Sequence, residues 1–406
     1  MINLKNNKKF DLVVVGAGPA GSMCAKTAAE KGINVLLLDR KLEIGVPDKC
    51  GEYLPSLKEM KKLAPNVKDL SSLFDPPSHC IVNRTKYVNF IFPNEKKFSV
   101  PFEGVVVERK LFDKYLSNEA ARAGAQILPF TYVTNLYEDR VRVRSFGEIS
   151  DVKTDAIVGA DGTYSLVARE AGLPISKSPY DYAIGYQYEM VGVEHDPEYV
   201  DMYLGEDIAP GTYAWIIPKG KDVANVGTGV RTPFMVKGKS VRDYQENFVF
   251  KHPLASKKLE KAKPTAIKAG NIPVGGPSIK TSNERVIVVG DAGGHTIPTV
   301  GGGVPPAMIV GKIAGEIAAA HKHNDVSLTK FDNEWKRQIG TVLDNSLRLR
   351  KMSDQVFRSK KMIDVITKLD WLTKETISNF IYCKMDSKMK LIEKTLKSKE
   401  IQKLIN

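Results

Sequence analysis

Two glycine-punctuated strand ends, lying far apart in the chain, constrain the fold more than any other feature. Asp11-Leu-Val-Val-Val-Gly16-Ala-Gly18-Pro-Ala-Gly21 reads as a buried strand, a tight turn and the start of a helix. Gly16 allows the turn, Gly18 leaves the backbone open to a pyrophosphate, and Gly21 lets the helix pack against the sheet. The helix N-terminus then offers free N–H groups and partial positive charge to the phosphates. A second apolar run, Asn34-Val-Leu-Leu-Leu-Asp39, ends in an acid placed to accept hydrogen bonds from an adenosine ribose. Much later, Val286-Ile-Val-Val-Gly290-Asp291-Ala-Gly-Gly runs another strand into another glycine turn. Together the two corners predict a nucleotide stretched across one doubly wound α/β domain.

The stretches between them favour FAD over NAD. Val107-Glu108-Arg109 opens a helix with Arg109 at its mouth, where an arginine can reach the phosphate or adenine side of a cofactor. An arginine at a helix start is also an ordinary solvated residue. Ala156-Ile-Val-Gly-Ala160-Asp161-Gly162 is a third strand ending in an Asp-Gly turn. Asp291, at the fourth, suits the ribityl hydroxyls of a flavin. The expected fold is a Rossmann-like FAD domain with an inserted antiparallel-sheet substrate domain and a helical C-terminal segment. Residues 1–80, 105–180 and 270–325 are assigned to the FAD domain and 326–406 to the helical segment. Residues 81–104 and 181–269 alternate apolar and polar positions and are assigned to the substrate sheet. Its strands are Tyr182–Met190, Tyr199–Leu204, Thr212–Ile217 and Val223–Val230.

Composition excludes several classes. The 406 residues suffice for two packed domains, and a hydrophobic fraction of 42% is globular. No apolar run reaches the ~18–20 residues that span a bilayer. The polar start runs directly into the first strand, so no secretory leader is expected. Four scattered cysteines without a Cys-x-x-Cys pair argue against a disulfide scaffold, an iron–sulfur cluster or a metal site, and fit a reducing cytoplasm. The net charge of +13 suits an anionic partner. No recognition motif for nucleic acid accompanies it. Much of the excess lies late, where Arg348-Leu-Arg-Lys351 and Ser359-Lys-Lys-Met362 alternate with Trp371 and Phe380. These read as two or three amphipathic helices, whose basic faces suit either plain solvation or peripheral contact with the inner face of a membrane.

Several motifs resemble the geranylgeranyl reductase family of flavoproteins, within the larger group shaped like p-hydroxybenzoate hydroxylase. They are Gly16-Ala-Gly-Pro-Ala-Gly21, Lys49-Cys50-Gly51-Glu52, Asp161-Gly162, Gly290-Asp291-Ala-Gly-Gly294-His295 and Gly301-Gly302-Gly303. The most specific is Pro210-Gly-Thr-Tyr213-Ala-Trp215-Ile-Ile217-Pro218, which is similar to the family's substrate-side signature, with Ile217 where Phe is usual. The resemblance covers residues 8–325. It implies saturation of isoprenoid double bonds, in archaea those of the geranylgeranyl chains of membrane ether lipids. It also implies that Ala20, Asp39, Cys50, Gly51, Tyr53, Arg109, Val133, Asp291, Gly303 and Val304 touch FAD. Gly303 and Val304 are then the N–H donors toward N1 and O2 of the reduced flavin, since Pro305 and Pro306 have none.

Such a reaction makes a demand. An isolated alkene cannot hold a carbanion, so a proton and a hydride must arrive closely coupled in a long, dry, apolar pocket. Tyr213 and Trp215, two apart on a strand, face the same way and are candidates to hold the prenyl chain, although such pairs also fill ordinary cores. Cys50 is the candidate proton donor, or one half of a redox bridge; a buried structural thiol is the plain alternative. His295 suits a hydrogen-bonded loop better than catalysis. The electron donor is external: NAD(P)H, a ferredoxin or a deazaflavin. Three other activities share parts of the pattern: aromatic monooxygenation, halogenation, and electron transfer to a quinone. The halogenase signature fails at Thr212 and Tyr213, and the quinone-linked enzymes carry a cysteine-rich tail where this chain has Cys383 alone.

Overall fold

The computed structural model describes residues 9–356 and 372–398. Two sheets organise them. In the first, β1 (Lys9–Val15), β2 (Val35–Leu38), β6 (Gln126–Leu128), β9 (Glu148–Gly159) and β15 (Val286–Val288) are parallel. A meander of β7 (Thr131–Leu136) and β8 (Arg140–Ser145) joins β9 antiparallel. The strand order is β6-β2-β1-β9-β8-β7, with β15 on the far end of β9. All four residues of β2 and Leu12–Val15 of β1 are buried, as continuous apolar strands covered on both faces must be.

The second sheet has eight strands in the order β14-β10-β13-β12-β11-β4-β5-β3. These are β3 (Tyr53–Pro55), β4 (Ile81–Ile91), β5 (Lys97–Val107), β10 (Tyr182–Val191), β11 (Tyr199–Tyr203), β12 (Ala214–Pro218), β13 (Val223–Val230) and β14 (Lys263–Pro273). The expected strands are all present, but the sheet is mixed: β11 runs parallel to β4. Only strands joined by tight turns are obliged to alternate, and β4 and β11 are linked by a long excursion through the first sheet.

Two long helices bring the glycine corners together. Pro19–Glu30 and Val304–Asn324 cross so closely that a Cβ on Gly311 would lie 2.3 Å from the Ala20 carbonyl oxygen, and one on Gly315 2.6 Å from that of Cys24. Small residues at the crossing set the spacing, and the start of each helix is carried to the same end of the parallel sheet.

The described part of the C-terminal segment is helical: Lys330–Trp335, a π-turn at Lys336–Gly340, Thr341–Val356, Lys374–Ile381 and Ser387–Leu396. It is tied back to the second sheet. Tyr382 packs on Phe102 with ring centroids 5.6 Å apart and donates to the buried Glu59 carboxylate. Arg231 pairs with Asp354. The basic run at Ser359–Met362 and Trp371 lie outside the described residues.

Candidate cofactor and substrate site

The first glycine corner is closed by backbone and open where a phosphate belongs. A Cβ on Gly16, whose φ is +105°, would meet the Ala160 carbonyl oxygen at 2.2 Å, and one on Gly21 would meet that of Gly16 at 1.8 Å. On Gly18 it would meet nothing within 4 Å. Gly18 begins the Pro19–Glu30 helix with no side chain capping it. A pyrophosphate fits this uncapped, open helix start. Asp39 braces the corner: its Oδ2 accepts from the Ala17 N–H at 2.7 Å and its Oδ1 from the Lys41 N–H at 2.8 Å.

The second corner lies beside the first. A Cβ on Gly290 would be 3.2 Å from the Ala20 Cβ. Asp291 accepts from the Thr296 hydroxyl at 3.0 Å and faces the Gly303 backbone; burial pushes its pKa up, with Thr296 and the Arg109 charge pulling the other way. Gly303 and Val304 start the second long helix, again with no side-chain cap. Arg109 is a bidentate partner of Asp113, at 2.8 and 3.0 Å. Asp161 spends its carboxylate locally, accepting from the Ser165 hydroxyl at 2.5 Å and the Val167 N–H at 3.1 Å at the start of a short helix. Val133 is half-buried on β7 opposite Val143. The Tyr53 ring lies over Gly104 on β5, its hydroxyl beside that of Thr85 at 3.3 Å. The structure thus gathers Ala20, Asp291 and Gly303 around one corner and sets the Asp161 backbone beside Gly16, where its N would be 3.1 Å from a Gly16 Cβ; Val133 lies on β7 and Tyr53 against β5 and Thr85. His295 is fully buried against Trp335, with ring centroids 4.8 Å apart, and neither ring nitrogen has a partner. Burial lowers its pKa to about 4, so it is a neutral packing residue.

Cys50 and the aromatic pair meet. Gln187 on β10 donates from Nε2 to the Cys50 carbonyl at 2.8 Å and accepts from the Trp215 indole Nε1 at 3.0 Å. A Cβ on Gly51 would lie 3.1 Å from Ile217 Cδ1 and 4.0 Å from Trp215 Nε1. The indole itself lies across Gly227, where a Cβ would come within 2.5 Å of the ring. Tyr213 stands edge-on to Trp215 at 6.0 Å and donates to the Val300 carbonyl at 2.6 Å, beside the Gly301–Gly303 loop. The Cys50 sulfur accepts from the Glu52 N–H at 3.2 Å and interacts with the Arg109 side chain. A thiol, an apolar aromatic wall and the second nucleotide corner therefore adjoin.

Sequence reasoning missed what lies behind Cys50. Lys219 pairs with Glu52, Glu108 and Glu189 at 2.7, 2.9 and 2.8 Å. Lys268 pairs with Asp48, Glu52 and Glu189 at 3.0, 3.3 and 3.1 Å. Asn225 Nδ2 donates to Glu52 at 2.7 Å and to the Gly51 carbonyl at 3.2 Å. Burial would raise the Glu52 pKa, but the two ammonium groups and Asn225 hold it at about 2. At Asp48 burial wins and the pKa is raised. The carboxylates of Asp48, Glu52 and Glu108 converge within 4.8 Å, the spacing of a metal site, but the Lys219 ammonium already bridges two of them. The signal was there: Gln187, Glu189, Asn225 and Lys268 are polar residues inside strands of an apolar sheet.

An open phosphate corner, a second corner beside it and a thiol-and-indole pocket define an FAD-dependent oxidoreductase. Residues 14–46 match the NAD(P)-binding Rossmann-like domain and residues 181–272 the geranylgeranyl reductase catalytic domain. Digeranylgeranylglycerophospholipid reductase of Methanocaldococcus jannaschii is 38% identical over 86% of this chain and 88% of its own length. That of Methanosarcina acetivorans is 38% identical over 83% of each. The chain belongs to the digeranylgeranylglycerophospholipid reductase family. A geranylgeranyl bacteriochlorophyll reductase-like protein of Thermoplasma acidophilum superposes with a TM-score of 0.83 at 26% identity, over 96% of this chain and 98% of that one. A flavin-dependent brominase shares the fold, with a TM-score of 0.73 at 17% identity over 97% of this chain and all of its own.

Proposed function

We propose that this chain saturates the geranylgeranyl double bonds of archaeal-type membrane lipids, with Cys50 as proton donor and Tyr213 and Trp215 as the wall that holds the alkene. The observation that carries this reading is the single glutamine, Gln187, bonded at once to the Cys50 loop and the Trp215 indole. Gly16, Gly18 and Gly21, with the Pro19–Glu30 helix start, hold the pyrophosphate of FAD. Asp291, Gly303 and Val304 hold its flavin end. Bound FAD supplies the hydride.

The chain's own residues do the rest. Trp215 and Ile217 exclude water and orient the prenyl chain by apolar contact. Cys50 holds a proton at Sγ, and the Glu52 N–H and Arg109 face the charge left when it departs. Tyr213, already donating to Val300, positions the glycine loop and is a poor proton source because burial raises its pKa. Replacing Cys50 by Ser tests the assignment. Turnover of an unsaturated prenyl lipid by the dithionite-reduced protein should fall by about 10²–10⁴-fold, with flavin content unchanged. Unchanged turnover would remove Cys50 from the chemistry.

A low-potential external donor of the ferredoxin or deazaflavin type suits the reading as well as NAD(P)H does. Among the described residues, no helix is long and apolar enough to cross a membrane. The Ser387–Leu396 helix buries Met389, Ile392 and Leu396 and turns Lys390, Lys394 and the 65% exposed Leu391 outward. That face suits peripheral docking on anionic lipid. Flotation with anionic vesicles at low salt should be lost in a Lys390→Glu/Lys394→Glu variant; failure of the parent protein to float would end the docking proposal.

A further inference from the structure

We propose that Lys268 is the positioning residue of the Cys50 loop, clamping it on both sides of the thiol to the substrate sheet. The proposal deepens the reading of Cys50 as proton donor and rests on it. Residues 44–52 form no regular strand or helix, and backbone bonds tie them only near the ends, at Val46 to Glu43 and at Glu52 to Val107. Side chains hold the rest. Lys268, on edge strand β14, reaches Asp48 at 3.0 Å and Glu52 at 3.3 Å, two residues before and two after Cys50. Its register partner on β10 is Gln187, which holds the Cys50 carbonyl. Two residues further along β14, the stem of the Lys49 side chain lies on the strand, where a Cβ on Gly270 would be 3.1 Å from the Lys49 Cβ and 3.2 Å from its Cδ.

Lys219 does not duplicate this role. Its partners are Glu52, Glu108 and Glu189, so it ties down the C-terminal side of the loop alone. Lys268 is the cation that spans Cys50. Both ammonium groups are almost completely buried, with side chains 4% exposed; removing Lys268 takes the paired cation from Asp48 in a dry interior, while Glu52 and Glu189 keep Lys219. The loop then has reason to move toward water. The relation is a geometric one: Lys268 touches neither the sulfur nor the prenyl wall, and acts through Asp48 and Glu52.

The test uses the full-length, FAD-loaded protein and iodoacetamide, with each thiol followed by mass spectrometry. Cys24, Cys80 and Cys383 are buried and report on global opening. In Lys268→Met, Cys50 alkylation should accelerate by about tenfold or more while Cys24 stays protected, because thiol modification follows exposure. Lys268→Arg should restore the slow rate, since a guanidinium can bridge the same two carboxylates. In turnover, kcat should fall with KM for the lipid little changed. Parental Cys50 reactivity in folded Lys268→Met would overturn the proposal, as would equal acceleration at Cys24, which would mean a purely structural role. Should Lys268→Met not fold, Asp48→Asn removes one arm alone; it should accelerate Cys50 alkylation, and an unaltered rate would again overturn the clamp. Loss of the proton-donor role is read separately, as Cys50→Ser retaining turnover, and leaves the alkylation result standing.

Discussion

The first sheet builds its site from backbone, whereas the second builds its own from side chains. At the first corner the decisive atoms are the Gly16 and Ala160 carbonyls, the open space over Gly18, and the close helix crossing at Gly311. At the second sheet they are the Trp215 indole, the Gln187 amide, the Cys50 thiol and two buried lysines. The pyrophosphate and ribose are the same in every FAD, so a backbone cradle suffices. A prenyl chain offers no polar handle, and its placement has to come from shape and exclusion of water.

The difference can be broken most directly at Gly21. A valine there would drive its Cβ to within 1.8 Å of the Gly16 carbonyl, backbone against backbone, with no rotamer to relieve it. Gly21→Val should lose bound flavin altogether and more than about 3 kcal/mol of stability, read as flavin-to-protein absorbance ratio and thermal midpoint. Retained yellow colour would mean that the corner does not carry the cofactor.

Trp215→Ala strikes the other region. Deleting a buried indole should cost about 3–5 kcal/mol. If the second sheet holds the prenyl chain, turnover should also fall on the order of 10²-fold while the surviving folded protein keeps its flavin, since misplacing a reactant by an ångström has that scale of effect. Turnover and flavin lost in step would make Trp215 a core residue and nothing more.

This contrast also explains what could be read from the chain. Gly16, Gly18, Gly21 and Asp39 lie within one strand–helix–strand unit, so their spacing carries their function. The Pro210–Pro218 segment was legible by family resemblance, and Tyr213 and Trp215, expected on one face, do lie edge-on to each other. The clamp behind Cys50 was not legible. Gln187 meets Cys50 across 137 residues and Lys268 meets Glu52 across 216, separations that no local pattern encodes. The four strands expected in the second sheet do pair antiparallel, β10 with β13, β13 with β12 and β12 with β11; the parallel pairing of β11 with β4 was not legible, because alternation of residues reports a strand's faces, not its direction. The Asp161-Gly162 turn was legible, but not that the Asp161 carboxylate accepts from Ser165 and the Val167 N–H at the start of the Leu166–Glu170 helix.

Acid separates the two regions by pH. His295, on the nucleotide side, has a folded pKa of about 4, lowered by burial from 6.5. Between those values the unfolded chain binds a proton that the folded one refuses, so this contribution is complete above about pH 6.5 and lost as pH falls toward 4. The full shift corresponds to about 3 kcal/mol at most. Glu52, behind the prenyl wall, has a pKa lowered from 4.5 to about 2, and its contribution is lost in the lower window. Denaturant midpoints measured from pH 8 to pH 3 should fall in two stages, and His295→Leu should shrink the first, to which His195 and His252 also contribute because burial lowers their pKa, and leave the second unchanged. A first stage unaltered by that substitution would place its origin elsewhere.

The smallest effect sharpens the comparison most, because it tests whether the space beside Gly51 belongs to substrate. Ile217 stands where the family resemblance leads one to expect Phe, and its Cδ1 points at a glycine that has no Cβ to oppose it. If that gap is the floor of the prenyl slot, Ile217→Phe should be absorbed at a cost of about 1 kcal/mol, near the mild end of overpacking. The flavin should stay bound, since Ile217 itself is not among the residues expected to touch it. What should change is which double bonds are reduced, seen by mass spectrometry as a shifted distribution of partly saturated lipids. A variant that instead loses several kcal/mol and exposes Cys50 would show that the Gly51 loop packs tightly on Ile217, leaving the alkene to be held by Tyr213 and Trp215 without it.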